Sequence, residues 1–123
     1  MSSIFNDFFN QGKENRETAK IDYLNEKKVN QDPVKIIAKI YGHVQGVGFR
    51  FTTVQLAEKL GVNGIVENKS DGSVYVEAAA DHETIEKFIQ ELAKGTSPSA
   101  NVKKVTIQYD NSLPNYKTFK NPH

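Results

Sequence analysis

From Val34 onward, strand-like and helix-like patterns follow one another in an order that restricts the possible folds. Short β-branched segments, typical of strands, alternate with longer segments whose apolar residues recur every three or four positions, as in helices. In chain order these segments read VKIIAKIYG, FRFTTVQLAEKLG, VNGIVENKSDGSVYVEAAA, DHETIEKFIQELAKG and NVKKVTIQYD. The third contains two strands joined by a tight turn at Asp71-Gly72, a pair that favours hairpins. The predicted order is therefore β-α-β-β-α-β, with NYKTFK as a short fifth strand at an edge.

Both predicted helices have recognisable ends and one apolar face. Gly61 is expected to end the first helix, and Asp81 is expected to cap the second. The faces expected to be buried consist of Val54, Ala57 and Leu60 in the first helix and of Ile85, Phe88, Ile89 and Leu92 in the second.

This order predicts an α+β protein of the ferredoxin-like βαββαβ type, with an antiparallel sheet of four or five strands and two helices on one face. The first and second strands would flank the third and run parallel to each other, through a right-handed crossover. The end of the first strand, from Gly42 onward, and the end of the second, near Asn68, would then share one edge of the sheet. Two strand spacings, roughly 10 Å, would separate them.

Residues 1–33 differ in character from residues 34–123. They contain five Lys/Arg and six Asp/Glu among many Asn and Gln, and they end at NQDP, a turn signal. We therefore predict a polar, flexible N-terminal extension over residues 1–33, followed by one folded domain over residues 34–123. One apolar cluster within the extension has helical spacing: Ile4, Phe5, Phe8 and Phe9. This cluster fits either a short frayed helix or an element that docks on a partner or on the domain.

Composition narrows the class of function. The chain has 123 residues, a formal net charge of +1, three histidines and no cysteine. A charge this small gives no strong field to attract nucleic acid or an acidic membrane surface, and the lack of cysteine excludes disulfides and thiolate metal sites. No apolar run approaches the roughly 20 residues of a membrane span, and the N-terminus has no apolar signal core. We expect a cytoplasmic monomer with no metal, no cofactor, no nucleic-acid partner and no membrane association.

The loop between the first strand and the first helix, YGHVQGVGFRF, has the composition of an anion-binding site. Its glycines let backbone N–H groups turn inward, and a helix N-terminus adds a favourable dipole. The side chains of Val44, Val47 and Phe49 offer no competing acceptors. Arg50 is the only arginine among the eleven basic residues of the domain, and its planar five-donor group matches phosphate or carboxylate. Chance in a lysine-rich composition is the alternative explanation for that arginine.

Two nucleotide-binding motifs do not fit this loop. A Walker A loop ends in Gly-Lys-Ser/Thr, whereas this loop ends in Gly-Phe-Arg. A dinucleotide fingerprint needs a third glycine, yet Phe51 occupies that position after Gly46 and Gly48. The loop is therefore expected to hold an isolated phosphate-like group. Asn68, at the end of GIVEN, can orient a water molecule because a carboxamide both donates and accepts, although a simple turn asparagine is the alternative.

Two motifs together make the sequence resemble the acylphosphatase family. Residues 42–50, GHVQGVGFR, match the family pattern G-x-V-Q-G-V-x-F-R at every fixed position, and residues 64–68, GIVEN, match G-x-V-x-N. The resemblance covers about residues 34–120. It implies metal-independent hydrolysis of acyl phosphates to a carboxylate and inorganic phosphate.

The resemblance also implies roles for individual residues. Arg50 would clamp the phosphate, Asn68 would position the attacking water, and the substrate's own phosphate would take the proton. The loop backbone would cradle the phosphate through Val44, Gln45, Gly46, Val47, Gly48 and Phe49. An alternative from another class is a phosphate-ligand-binding accessory or regulatory module with little turnover.

Three features depart from the family pattern or stay open. The C-terminal YKTFKNPH lacks the Arg-Tyr type of ending that many members have, which bears on how the last strand docks. Glu67 stands where the family often has a basic residue, although strand alternation would direct its side chain away from Asn68. His43 lies in the loop and would either tune phosphate binding when protonated or be a variable surface position.

Overall fold

The computed structural model describes residues 19–122. Their strands are β1 (Lys20–Tyr23), β2 (Val34–His43), β3 (Asn63–Asn68), β4 (Val74–Ala80), β5 (Asn101–Tyr109) and β6 (Phe119–Lys120), and their helices are α1 (Phe49–Leu60) and α2 (His82–Lys94). From β2 to β5 the order is the predicted β-α-β-β-α-β. The short edge strand expected in NYKTFK is β6.

The strands form one mixed sheet in the order β1-β5-β2-β4-β3-β6. The four central strands pair antiparallel, whereas the outer pairs β1–β5 and β3–β6 are parallel. Strands β2 and β3 flank β4, as the sequence predicted for its first, second and third strands. The α+β, ferredoxin-like prediction is therefore confirmed, although the described chain has six strands rather than four or five.

Strand β1 lies in the segment for which the sequence predicted a flexible extension, and for residues 20–23 that prediction is wrong. Residues Lys20–Tyr23 pair with residues 104–107 of β5. The Tyr23 ring stacks on Tyr109 with centroids 6.3 Å apart, and the Asn25 carboxamide both donates to and accepts from the Tyr109 backbone. The segment KIDY is short and half polar, so its own pattern does not predict a strand. It becomes one by pairing with the edge of β5. The helical cluster predicted between Ile4 and Phe9 lies outside the described residues.

The core lies between the sheet and the helices. Strand residues whose side chains face the helices are buried, and they include Ile36, Ala38, Ile40, Val66, Val74, Val76, Val105 and Ile107.

Helix α2 buries the predicted face of Ile85, Phe88, Ile89 and Leu92, and the Asp81 side chain caps it by accepting from the Thr84 N–H at 2.8 Å. Helix α1 ends at Gly61, as predicted, but its fully buried residues are Phe49, Thr53 and Ala57. Val54 and Leu60 are only partly buried against the core, because the buried stripe follows every fourth residue from Phe49 to Ala57 rather than the predicted positions.

Neither helix of residues 19–122 has the length and apolar character needed to cross a membrane.

Candidate active site

Residues 44–48 connect β2 to α1, and their backbone faces outward. The side chains of Val44 and Phe49 are buried in the core, and Val47 packs against it. Gly46 and Gly48 are exposed and have φ of 77° and 80°, a left-handed conformation that glycine adopts without a Cβ clash. Apolar anchors on the inner side and glycines on the outer side therefore leave the main chain as the exposed surface of the loop.

The carbonyl groups at the end of this loop accept hydrogen bonds from neighbouring side chains. Ser97 Oγ donates to the Val47 carbonyl at 2.7 Å, and the Thr52 hydroxyl donates to the Gly48 carbonyl at 2.9 Å. Within residues 19–122, no backbone N–H from residue 45 to residue 48 donates to a backbone carbonyl. Amides whose neighbouring carbonyls are already engaged can turn toward an anion.

The start of α1 adds to the positive character of the loop. The helix begins at Phe49 after Gly48, which has no side chain to cap it, and the first turn has no acidic residue. The exposed N–H groups of a helix N-terminus carry a partial positive charge. Arg50 lies half-buried in the same first turn and adds a positively charged residue to it.

Asn68 is the last residue of β3. Its side chain shares the helix-facing side of the strand with Val66, which is buried, because alternate residues face the same side. The Asn68 Oδ1 atom is buried and has no hydrogen-bond partner among residues 19–122. A buried acceptor without a partner costs about 1–3 kcal/mol. Such a site gains stability when a donor such as water reaches it.

The sheet register brings the loop and Asn68 to one end of the molecule. Val74 of β4 pairs with Ile40 of β2 on one side and with Asn68 of β3 on the other. The end of β2 and the end of β3 are therefore two strand spacings apart, roughly 10 Å. This is the shared edge that the sequence predicted. The side chain of Gln45 spans part of that distance, because its Nε2 donates to the carbonyl of Lys69, the residue after Asn68, at 2.8 Å.

The contacts of Gln45 were not anticipated from the sequence. Its carboxamide binds main-chain carbonyls of the β3–β4 turn, at Lys69 and Ser73, so the side chain is directed to the turn rather than to solvent. One signal was available in the sequence. Gln45 is the only carboxamide in a loop whose other side chains, apart from His43, are apolar or absent up to Arg50.

Glu67 lies on the opposite face of β3 from Asn68. Its carboxylate forms an ion pair with Lys69 at 2.8 Å, and the Lys69 ammonium lies 4.5 Å from the Tyr75 ring centroid. On the same open face, Tyr75 and Tyr116 both donate to the Glu77 carboxylate. Burial, followed by that hydrogen bond, raises the pKa of Tyr116 to about 12. Tyr116 therefore ties the segment before β6 to the sheet, in the C-terminal region whose docking the sequence left open.

Two further observations concern metal ions and His43. Among residues 19–122, no group of three or more His, Asp and Glu side chains is placed to hold a metal ion. His43 is exposed at the end of β2, just before the loop.

Comparison with known proteins gives a consistent result. The sequence model of the family described as acylphosphatase matches residues 36–121. An acylphosphatase of Lacticaseibacillus paracasei is 40% identical over 81 residues, which is 66% of this chain and 87% of that protein. An acylphosphatase of Listeria welshimeri is 43% identical over 83 residues, covering 68% of this chain and 89% of that protein.

A solved structure agrees with the sequence matches. The crystal structure of acylphosphatase from Bacillus subtilis superposes with a TM-score of 0.70 at 28% identity, covering 73% of this chain and 99% of that one. The matched part of this chain includes both motifs, at residues 42–50 and 64–68.

Proposed function

Since the chain belongs to the acylphosphatase family, we propose that it hydrolyses acyl phosphates to a carboxylate and inorganic phosphate without a metal ion. The observation that carries the proposal is the buried Oδ1 of Asn68, which has no partner among the described residues and lies at the same end of the sheet as the amide-lined loop. One element suits an anion, and the other suits a water molecule. The protein would act as a cytoplasmic monomer on a small-molecule acyl phosphate.

In this proposal the loop and Arg50 bind the phosphoryl group. The N–H groups of residues 44–49 and the N-terminal end of α1 surround its oxygens, and the Arg50 guanidinium binds two of them. These donors are in place before the reaction, so they stabilise charge in the transition state without rearrangement. Asn68 Oδ1 accepts a hydrogen bond from the attacking water and orients its oxygen toward phosphorus.

The water oxygen forms a bond to phosphorus, and the bond between phosphorus and the acyl oxygen breaks. The carboxylate departs with the bonding electrons, and a phosphate oxygen of the substrate takes the proton from the water. A carboxylate is a good leaving group, so no strong general base is required. Positioning and electrostatic stabilisation are the contributions that such a site supplies to phosphoryl transfer.

The test is benzoyl phosphate hydrolysis by the wild-type protein, Arg50→Ala and Asn68→Ala. We expect each substitution to lower kcat/KM about a hundredfold or more, because each removes one preorganised group. Lys59→Ala, at the other end of α1, and Asn63→Ala, at the other end of β3, are matched controls that should keep wild-type rates. Undiminished turnover in Arg50→Ala or Asn68→Ala would remove that residue from the mechanism.

Two further arms separate this proposal from a binding module. Wild-type activity should persist in excess chelator, which tests metal independence. Calorimetry with inorganic phosphate tests the loop alone. Phosphate binding without hydrolysis of any acyl phosphate in a panel would favour the accessory or regulatory module instead.

A further inference from the structure

The Gln45 side chain makes two hydrogen bonds to one turn. Its Nε2 donates to the Lys69 carbonyl and to the Ser73 carbonyl, each at 2.8 Å. Both partners are acceptors, which assigns the amide nitrogen to this side of the carboxamide. The Ser73 carbonyl also accepts from the Lys69 N–H at 2.9 Å. Gln45 therefore contacts both residues that close the β3–β4 turn, Lys69 and Ser73.

The turn that Gln45 contacts is itself well braced. The Asp71 carboxylate accepts from the Ser73 N–H at 2.9 Å and from the Ser73 hydroxyl at 2.6 Å. These bonds hold the pKa of Asp71 below its ordinary value. Strand β3, which enters the turn, is paired with β4 along its whole length up to Asn68. The backbone of the turn is thus held in place directly beside Asn68.

The loop has no such ladder around Gln45. Gly46 is exposed with φ of 77°, and residues 45–48 make no backbone–backbone donation within the described chain. On this side, the two bonds of Gln45 are the side-chain bonds that link the loop to the turn. The other side is held separately, by the Ser97 hydroxyl on the Val47 carbonyl.

We infer that Gln45 is a positioning residue that sets the distance between the phosphate-binding loop and the carboxamide of Asn68. This inference rests on the proposed function, in which the loop holds the phosphate and Asn68 holds the water. The Gln45 side chain contacts neither, because its amide nitrogen is engaged with the turn, while its backbone N–H belongs to the loop. It acts through the alignment of two groups that lie on different strands.

The inference predicts a particular kinetic signature. A displacement of about 1 Å between reacting groups can cost about a hundredfold in rate, whereas phosphate binding depends on the loop and Arg50 within one segment. Gln45→Ala should therefore lower kcat about tenfold to a hundredfold and leave the inhibition constant for inorganic phosphate within about twofold of wild type.

The decisive experiment is a double-mutant cycle with benzoyl phosphate as substrate. If Gln45 acts through Asn68, Gln45→Ala in the Asn68→Ala background should change kcat by less than about threefold, since the alignment no longer matters. Ser97→Ala is the matched control. It removes the hydrogen bond to the Val47 carbonyl, which holds the loop without contacting the β3–β4 turn. Its effect should be the same in both backgrounds.

A second variant tests the same role if Gln45→Ala lowers the stability of the fold. Gln45→Glu has the same length. Its protonated form can donate one bond to the turn, whereas its ionised form repels both carbonyls. The ratio of its rate to that of wild type should therefore rise as the pH is lowered, with melting temperatures measured alongside. A flat ratio would contradict the inference.

The outcomes of the cycle distinguish failure of the proposed function from failure of the role of Gln45. Absence of turnover in the wild-type protein would overturn the proposed function and this inference with it. Turnover with equal effects of Gln45→Ala in both backgrounds would overturn the role of Gln45 alone. A strongly reduced effect in the Asn68→Ala background, with an unchanged effect of Ser97→Ala, is the result that supports it.

Discussion

The loop of residues 44–49, proposed to bind phosphate, and strand β3 supply the two halves of the proposed site, and they are held by different kinds of bonds. Strand β3 is paired through its backbone with β4 on one side and β6 on the other. The loop is held by side chains, through Gln45, Ser97 and Thr52, and by the buried Val44 and Phe49. We therefore expect a single substitution to shift the loop while the fold persists, and we expect β3 to tolerate little change.

The glycines of the two halves show the same contrast. A Cβ on Gly64 of β3 would lie 1.8 Å from the Glu77 carbonyl oxygen of the neighbouring strand. A Cβ on Gly46 of the loop would meet nothing within 4 Å, so only its left-handed backbone requires glycine. The glycine of the GIVEN motif, Gly64, is thus needed for close strand packing, and Gly46 is needed for the backbone conformation of the loop.

The largest expected effect comes from Gly64→Ala. The added methyl group cannot avoid the Glu77 backbone unless β3 and β4 move apart, which would break their ladder. We expect a loss of more than about 4 kcal/mol in the free energy of unfolding, measured by urea denaturation. A variant with near-wild-type stability would show that β3 is as adaptable as the loop.

Gly46→Ala should have a smaller effect. The methyl group has space, but an L-residue in the left-handed region costs about 1–2 kcal/mol. We expect a folded protein with moderately lower stability and with weakened binding of inorganic phosphate, measured by calorimetry, because the loop amides lose their direction. Unfolding comparable to that of Gly64→Ala would contradict the difference between the two glycines.

Deletion of residues 1–25 should affect stability without affecting chemistry. It removes β1, the Tyr23–Tyr109 stack and the Asn25 contacts, all at the β5 side of the sheet and away from β3. The aromatic pair alone suggests a loss of about 1 kcal/mol, visible as a lower melting temperature. Turnover of benzoyl phosphate should stay at the wild-type rate. A fall in kcat would mean that activity follows general stability rather than the alignment of loop and β3.

The smallest effect concerns the turn beside Asn68. Hydrogen bonds from Ser73 lower the pKa of Asp71 from its ordinary value of 3.8. A lowered folded-state pKa stabilises the fold above the unfolded-state pKa, and this stabilisation is lost as the pH falls through the lowered value. Asp71→Asn should therefore be less stable than wild type at neutral pH, and the difference should shrink on acidification below about pH 4. Urea denaturation at several pH values measures this; a difference independent of pH would argue against the Ser73 bonds.

Much of the fold could be predicted because local patterns agree with the tertiary arrangement. The apolar face of α2, the Asp81 cap and the hairpin at Asp71-Gly72 each rest on neighbouring residues. The stripe of α1 was less accurate, because burial of Phe49 and Thr53 depends on how the preceding loop enters the core. Strand β1 could not be predicted, since KIDY has little strand character of its own and is ordered by the edge of β5.

Periodicity and motif spacing run along the chain, so they were enough to predict the order of elements from β2 to β6, the resemblance to the family, and the candidates Arg50 and Asn68. The surroundings of these residues, in contrast, depend on the tertiary structure. It leaves the Asn68 oxygen buried with no partner within residues 19–122, directs Gln45 to the turn beside it, and places Gly64 against the backbone of Glu77. These contacts join residues of different strands, and such distances follow from the register of the sheet rather than from any local pattern.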